Sequence, residues 1–261
     1  MRPLARIGVL VIVLALACPS PGWPWGATGH RAVGVVAESL LTPKARAGVA
    51  ELLGAGVGLA QVSTWADEVR PDRPETAAWH YVNIPRDATR YRAERDCPQG
   101  CVVSAITHFS AILTDQGKPR SDRQEALRWL VHLVADVHQP LHVADDHDAG
   151  GNQVTVRFFG VPSNLHRVWD GDILDRAYPD AGRLPSRVAA IVESADRKAW
   201  RKGSPAQWAM EAHAYAKRVA YAISASAELD DVYVSKALPV IHELLAKAAV
   251  RLAWLLNRAF R

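Results

Sequence analysis

The chain has 261 residues, 49% of them hydrophobic, and a formal charge of +4 at neutral pH from 31 basic and 27 acidic side chains. This is enough apolar material for a substantial core, and no stretch reads as a linker or low-complexity tract, so one compact domain is expected. The weak positive balance neither demands nor rules out a nucleic-acid partner, and it excludes phosphate recognition by a strong whole-protein field; local groups must do it.

Residues 1–24 read as a signal peptide and leader. Arg2 and Arg6 precede the apolar run Ile7–Ala17, which is too short for a membrane anchor and is followed by small residues and prolines. The mature chain is therefore expected to be exported, secreted or periplasmic, without a transmembrane segment, and the formal charge without Arg2 and Arg6 falls to +2. Ala15-Leu16-Ala17 suits signal-peptidase cleavage and would leave Cys18 first, whereas a chain starting at Trp25 needs a further trimming step.

Thr28 is positioned to cap a helix with His30 in its first turn, and Thr42-Pro43 reads as the start of a second helix running to Leu53 and closed by Gly54. A short helical piece around Trp65–Arg70, a proline-rich turn and the aromatic run Trp79–Val82 follow. Cys97 and Cys101 form an even pair in an oxidising compartment and point to a disulfide; the rival reading, a CxxxC metal site, lacks a second cysteine pair to complete it. Ser104–Thr114 and Asp122–Gln139 have helical spacing. Only Asn152–Phe159 alternates like a strand, between glycines, and could form a hairpin arm. Ser163–Asp175 returns to helical spacing. Ala- and Leu-rich helices near Ser186–Lys202, Pro205–Ser224 and Val234–Phe260, the last interrupted by Pro239, read as scaffold.

The stretch Trp129–His142, WLVHLVADVHQPLH, carries the chemistry. His132 and Asp136 stand one turn apart on a helix otherwise lined by Leu130, Val131, Leu133, Val134 and Val137. A buried carboxylate beside an imidazole is either a core ion pair or part of a metal site. Pro140 ends the helix, because its ring clashes with the carbonyl of Asp136 and disfavours helical geometry at Gln139. Further along, His166 and Asp170 repeat the four-residue spacing. Together with His30, Asp67, His80 and His142 they make an imidazole and carboxylate inventory large enough for more than one ion, which favours zinc over a thiolate metal without excluding manganese or iron. His108, His138, His147, His213 and His242 read as structural or exposed.

In this order, WGATGH, WADEVR, WHYVN, LVHLVADVHQPLHV, GGN and NLHRVWD resemble the trinuclear-zinc single-strand-specific nucleases and 3′-nucleotidases, the S-one/P-one type, related in fold to bacterial zinc phospholipase C. The resemblance runs from Trp25 to Asp170 and implies an all-α, multi-helix domain over residues 25–261, with at most a small β-hairpin near residues 152–160. It implies three Zn2+ ions. The first would be held by Asp67, His80, His132 and Asp136, and the second by His142, His166 and Asp170. The third would take the α-amine and carbonyl of Trp25 with His30, Asp136 bridging two ions.

The implied activity is hydrolysis of single-stranded DNA and RNA to 5′-phosphorylated products, and of 3′-nucleotides. Asp67 would orient or deprotonate the attacking water and Arg70 would contact the phosphate; the alternative for Arg70 is an ion pair with Glu68 or Asp72. Tyr81 stands where the family stacks a base, its alternative being core packing. Asn83 replaces an aspartate of fungal members, and Asn152 either faces the phosphate or completes a plain turn. A zinc phospholipase C shares the metal chemistry, but its members carry a glutamate at the position of Asp170. A non-catalytic zinc protein would need more ligands than His142, His166 and Asp170 around the second ion.

Overall fold

Thr42 and Pro43 do what their chemistry requires: the threonine hydroxyl accepts from the Ala45 amide at 3.2 Å, and the proline occupies the first helical turn, where no amide hydrogen is needed. The computed structural model describes residues 25–224 and 226–261; the leader read over residues 1–24 lies outside the described residues. The helices are α1 Gly26–Ser39, α2 Pro43–Leu53, α3 Leu59–Val62, α4 Trp65–Val69, α5 Ala93–Asp96, α6 Val102–Thr114, α7 Arg120–Asp136, α8 Leu165–Arg167, α9 Ile173–Ala177, α10 Leu184–Ser194, α11 Arg197–Trp200, α12 Pro205–Tyr215 and α13 Asp231–Ala259. The fold is all-α apart from one small sheet.

That sheet contains the expected hairpin and one unexpected strand. β1, Thr155–Phe158, pairs antiparallel with β2, Val161–Asn164, around Phe159 and Gly160, which both have positive φ. β3, Glu228–Leu229, pairs parallel to β1, and its two residues give no periodicity to read. Ser163 and Asn164 therefore belong to a strand instead of starting the next helix. The side chain of Asn164 accepts from the Arg167 amide at 2.8 Å and caps α8, which opens at Leu165.

Other boundaries shift for identifiable reasons. α1 begins at Gly26, so Thr28 lies inside it and does not cap it. α7 ends at Asp136, three residues short of Gln139, as the amides of His138 and Gln139 turn back to the carbonyls of Ala135 and Asp136 in a tighter turn ahead of Pro140. α13 continues through Pro239. Pro239 and Ser235, whose carbonyl the ring leaves without an amide donor, are both exposed, so water can satisfy that oxygen.

From Leu130 to Asp136, α7 is entirely buried, packed against α6, α13, α2, α4 and α1. The core surrounding it is continuous from Trp25 to Phe260. Cys97 and Cys101 form the expected disulfide. It ties down the start of α6, where the Val102 amide donates to the Tyr81 carbonyl at 3.0 Å and so anchors the segment after His80. Among the described residues, no helix is long and apolar enough to cross a membrane.

Candidate metal centre and substrate cleft

Five elements deliver side chains capable of holding a metal ion to one buried region. α1 brings His30, α4 brings Asp67, the helical turn Pro74–His80 ends on His80, α7 brings His132 and Asp136, and the turn after Pro140 brings His142. His166 and Asp170 arrive from α8 and the π-helical turn Val168–Asp172, still one turn apart. Three groups form: Asp67, His80 and His132; His30, His132 and Asp136; and His142, His166 and Asp170, with the ligand atoms in each lying within 4.8 Å of one another.

Asp136 stands between them. Its Oδ2 is 3.1 Å from His80 Nδ1 and 3.1 Å from His132 Nε2, while Oδ1 is 3.4 Å from His30 Nε2. The His30 and His132 rings stack with centroids 4.0 Å apart. In the remaining group, His166 Nε2 is 3.0 Å from Asp170 Oδ2 and His142 Nε2 is 3.5 Å from Asp170 Oδ1. Trp25, fully buried, donates its backbone nitrogen to Asp170 Oδ1 at 3.3 Å.

Backbone carbonyls orient three of the imidazoles. His132 Nδ1 meets Ser63 O at 2.7 Å, His142 Nδ1 meets His80 O at 2.9 Å, and His166 Nδ1 meets Gly150 O at 2.7 Å. A carbonyl can only accept, so each Nδ1 carries a proton and each Nε2 points into the cluster, the arrangement found around metal-bound histidines. Gly150 has to be glycine for this: its φ is +60°, and a Cβ would lie 2.5 Å from Leu141 O.

The unbalanced polar groups fit cations. Buried with no hydrogen-bond partner are both nitrogens of His30, Nε2 of His80, and one oxygen each of Asp67, Asp136 and Asp170. Among the described residues, no lysine or arginine forms an ion pair with these three carboxylates. Burial pushes Asp67 up to about 6, and holds His30 and His80 down to about 4. Burial would also lower His132, but Asp136 and Asp67 hold it up at about 9. Three carboxylates sharing so little compensating charge, among imidazole lone pairs, match a site for three metal ions.

Above this floor opens a cleft of about 370 Å³ lined by Arg70, His80, Tyr81, Asn83, His142 and Asn152 among others. Arg70 makes no ion pair among the described residues, so the expected alternative with Glu68 or Asp72 is not formed; Glu68 instead accepts from the Thr64 hydroxyl at 2.6 Å. Tyr81 is 41% exposed at the cleft rather than packed in the core. Asn83 is also exposed. Asn152 lines the cleft, yet its side-chain nitrogen donates to Ala149 O at 2.9 Å within its own turn.

The other five histidines stay outside the three groups. His138 is buried, donates Nδ1–H to Val134 O at 2.6 Å and meets the guanidinium of Arg251 at 2.8 Å. Sequence reasoning missed Gln139, which lies inside the motif, is fully buried and donates to Asp170. Nothing in its spacing distinguishes it from a helix-ending glutamine.

A helical scaffold with three buried histidine and aspartate groups beneath an open polar cleft defines an enzyme site of the polynuclear metal type. Comparison with known proteins agrees. The family model described as S1/P1 Nuclease matches residues 25–261. Similar proteins include Endonuclease 2 of Arabidopsis thaliana, 33% identical over 98% of this chain and 97% of that protein. Nuclease S1 of Aspergillus oryzae is 32% identical over 93% of each, and Nuclease P1 of Penicillium citrinum is 30% identical over 89% of this chain and 97% of that protein. The chain belongs to the S1/P1 nuclease family, and is thus a nuclease, a hydrolase acting on ester bonds.

Proposed function

We propose that residues 25–261 form an extracytoplasmic, zinc-dependent phosphodiesterase that hydrolyses single-stranded DNA and RNA to 5′-phosphorylated products and also acts on 3′-nucleotides. Asp67, His80, His132 and Asp136 would hold one zinc, His142, His166 and Asp170 a second, and His30 with the amine and carbonyl of Trp25 a third, shared through Asp136. The opposed oxygens of Asp136, Oδ2 towards His80 and His132 and Oδ1 towards His30, support its sharing between two ions. The disulfide and the leader-like residues 1–24 support export. Removal of that leader would free the Trp25 amine to ligate.

Bound zinc supplies neutralisation of the phosphodiester charge and acidifies water near neutral pH. The protein does the rest. Asp67, whose Oδ1 has no hydrogen-bond partner, orients or deprotonates the attacking water. Arg70, free of carboxylates, grips a non-bridging phosphate oxygen. Tyr81 stacks on the base, and the polar lining from Asn83 and Asn152 suits a nucleotide better than the lipid tails of a phospholipase substrate.

The observation that carries the reading is the exposed ring of Tyr81 lining one cleft with Arg70, His80, His142 and His166. A stacking platform needs a base face free of its duplex, which gives preference for single strands. The test is turnover on single- and double-stranded DNA, RNA, a 3′-mononucleotide and phosphatidylcholine. Single strands and the mononucleotide should be cleaved, leaving 5′-phosphate ends on the polymers. Hydrolysis of phosphatidylcholine without cleavage of oligonucleotides would overturn the reading.

A further inference from the structure

Gln139 uses every polar group it has, and three of the four reach residues of the metal centre. Its amide nitrogen donates to Asp136 O at 2.9 Å, and its carbonyl accepts from His142 N at 3.0 Å. Its side-chain Nε2 donates to Asp170 Oδ1, and Oε1 accepts from the Leu141 amide. The side chain is completely buried, and its partner Asp170 lies 31 residues away on another helical segment. One residue therefore ties Asp136, shared by two groups, to His142 and Asp170, which belong to the remaining group.

The contact falls on one oxygen of Asp170 only. Oδ1 takes the Gln139 amide and the Trp25 nitrogen, with His142 Nε2 farther off at 3.5 Å. Oδ2 has no hydrogen-bond donor and faces His166 Nε2 at 3.0 Å. Because His166 Nδ1 is committed to Gly150 O, that Nε2 is free to coordinate. We propose that Gln139 is a positioning residue that occupies Asp170 Oδ1 and so reserves Oδ2 for the ion of the His142, His166 and Asp170 group. The inference rests on reading those three residues as ligands.

The residue type follows from the contacts. A lysine would cancel the charge that Asp170 brings to the ion, and a glutamate would set a second carboxylate against it. Asparagine is one methylene too short to span from the Leu141 amide to Asp170. A neutral amide of this length donates at one end and accepts at the other, holding the carboxylate while leaving it fully anionic.

The experiment compares wild type, Gln139→Glu, Gln139→Met and Asp170→Asn as folded, zinc-loaded proteins, counting zinc retained against a graded series of chelator concentrations. Gln139→Glu keeps the shape and the acceptor for the Leu141 amide but replaces the donor with a second carboxylate, whereas Gln139→Met removes the donor and the acceptor without adding charge. Both Gln139 variants should release one zinc at a chelator concentration about 10- to 100-fold lower than wild type, the range typical for loss of such a partner, with the other two unchanged. A purely structural role would instead lower the melting temperature of the metal-free protein and leave all three affinities as in wild type, which overturns the proposal. Asp170→Asn separates the two readings. If it keeps every zinc at wild-type affinity, the ligand assignment itself fails; if it loses one zinc while the Gln139 variants lose none, only the Gln139 inference fails. Should neither Gln139 variant fold, exchange of the Gln139 carboxamide protons in the wild type decides. Exchange at least tenfold slower than for exposed glutamines, and slower again with zinc bound, supports the proposal, and exchange at the exposed rate overturns it.

Discussion

Asp136 Oδ2 lies 3.1 Å from Nε2 of His132, one helical turn earlier on α7, and neither side chain is accessible to solvent. The proton that could bridge them is supplied from within, since Asp136 holds His132 up at about 9 while His132 draws Asp136 well below the carboxylate range against the opposing effect of burial. A divalent cation replaces that proton with two charges and also satisfies the stranded Nε2 of His30 and Oδ1 of Asp67.

Replacing Asp136 with asparagine removes the charge shared by two groups. Activity should fall to background and two of three zincs should be lost. Because metal binding stabilises the fold by about 2.7 kcal/mol for each site filled at 100 times its Kd, the melting temperature should drop as well. Elemental analysis with calorimetry checks this; a mutant with three zincs and normal turnover would remove Asp136 from its bridging position.

Tyr81→Ala should act on binding alone. Loss of about 1–3 kcal/mol of stacking raises KM for single-stranded oligonucleotides about 5- to 150-fold, with zinc content unchanged. Steady-state kinetics give the answer directly, and an unaltered KM would return the ring to a packing role.

Arg70→Ala is expected to lower kcat/KM about 100-fold without changing zinc content, and Arg70→Lys to recover only part, because an ammonium cannot make a two-pronged phosphate contact. Full recovery by lysine would show that charge alone suffices.

His242 provides a pH signature away from the metal. Burial, reinforced by Arg187, lowers it to about 4, and its Nε2 meets the Tyr178 hydroxyl at 2.6 Å, where the neutral ring accepts. Unfolding restores the ordinary value of about 6.5, so the unfolded chain binds the extra proton first. Stability from this group is present above about 6.5 and is lost as pH falls towards 4. The melting temperature of the zinc-saturated protein should decline across that window, and less steeply in His242→Gln. Identical slopes would place the ring in solvent.

Much of the centre was legible from the chain because its candidate ligands sit on helices with their spacing intact: His132 with Asp136, and His166 with Asp170, each four residues apart. Pro140 announced the turn that carries His142. The carbonyls of Ser63, His80 and Gly150 that fix the imidazoles were illegible, since every residue has one and only folding selects which. β3 was too short for its period to register, and the helix starting at Leu165 was obscured by the strand residues Ser163 and Asn164, whose spacing also suits a helix. Tyr81 and Arg70 illustrate a third case. Their alternatives, a core ring and a surface ion pair, differed from the functional reading only in exposure and partners, which the sequence does not specify.

The number of zinc ions per chain is the most direct test of the account. Elemental analysis of protein prepared with Trp25 as its first residue and dialysed to remove loose metal should return three zincs. A count of one or none, or a full complement of another metal, would contradict the trinuclear zinc centre.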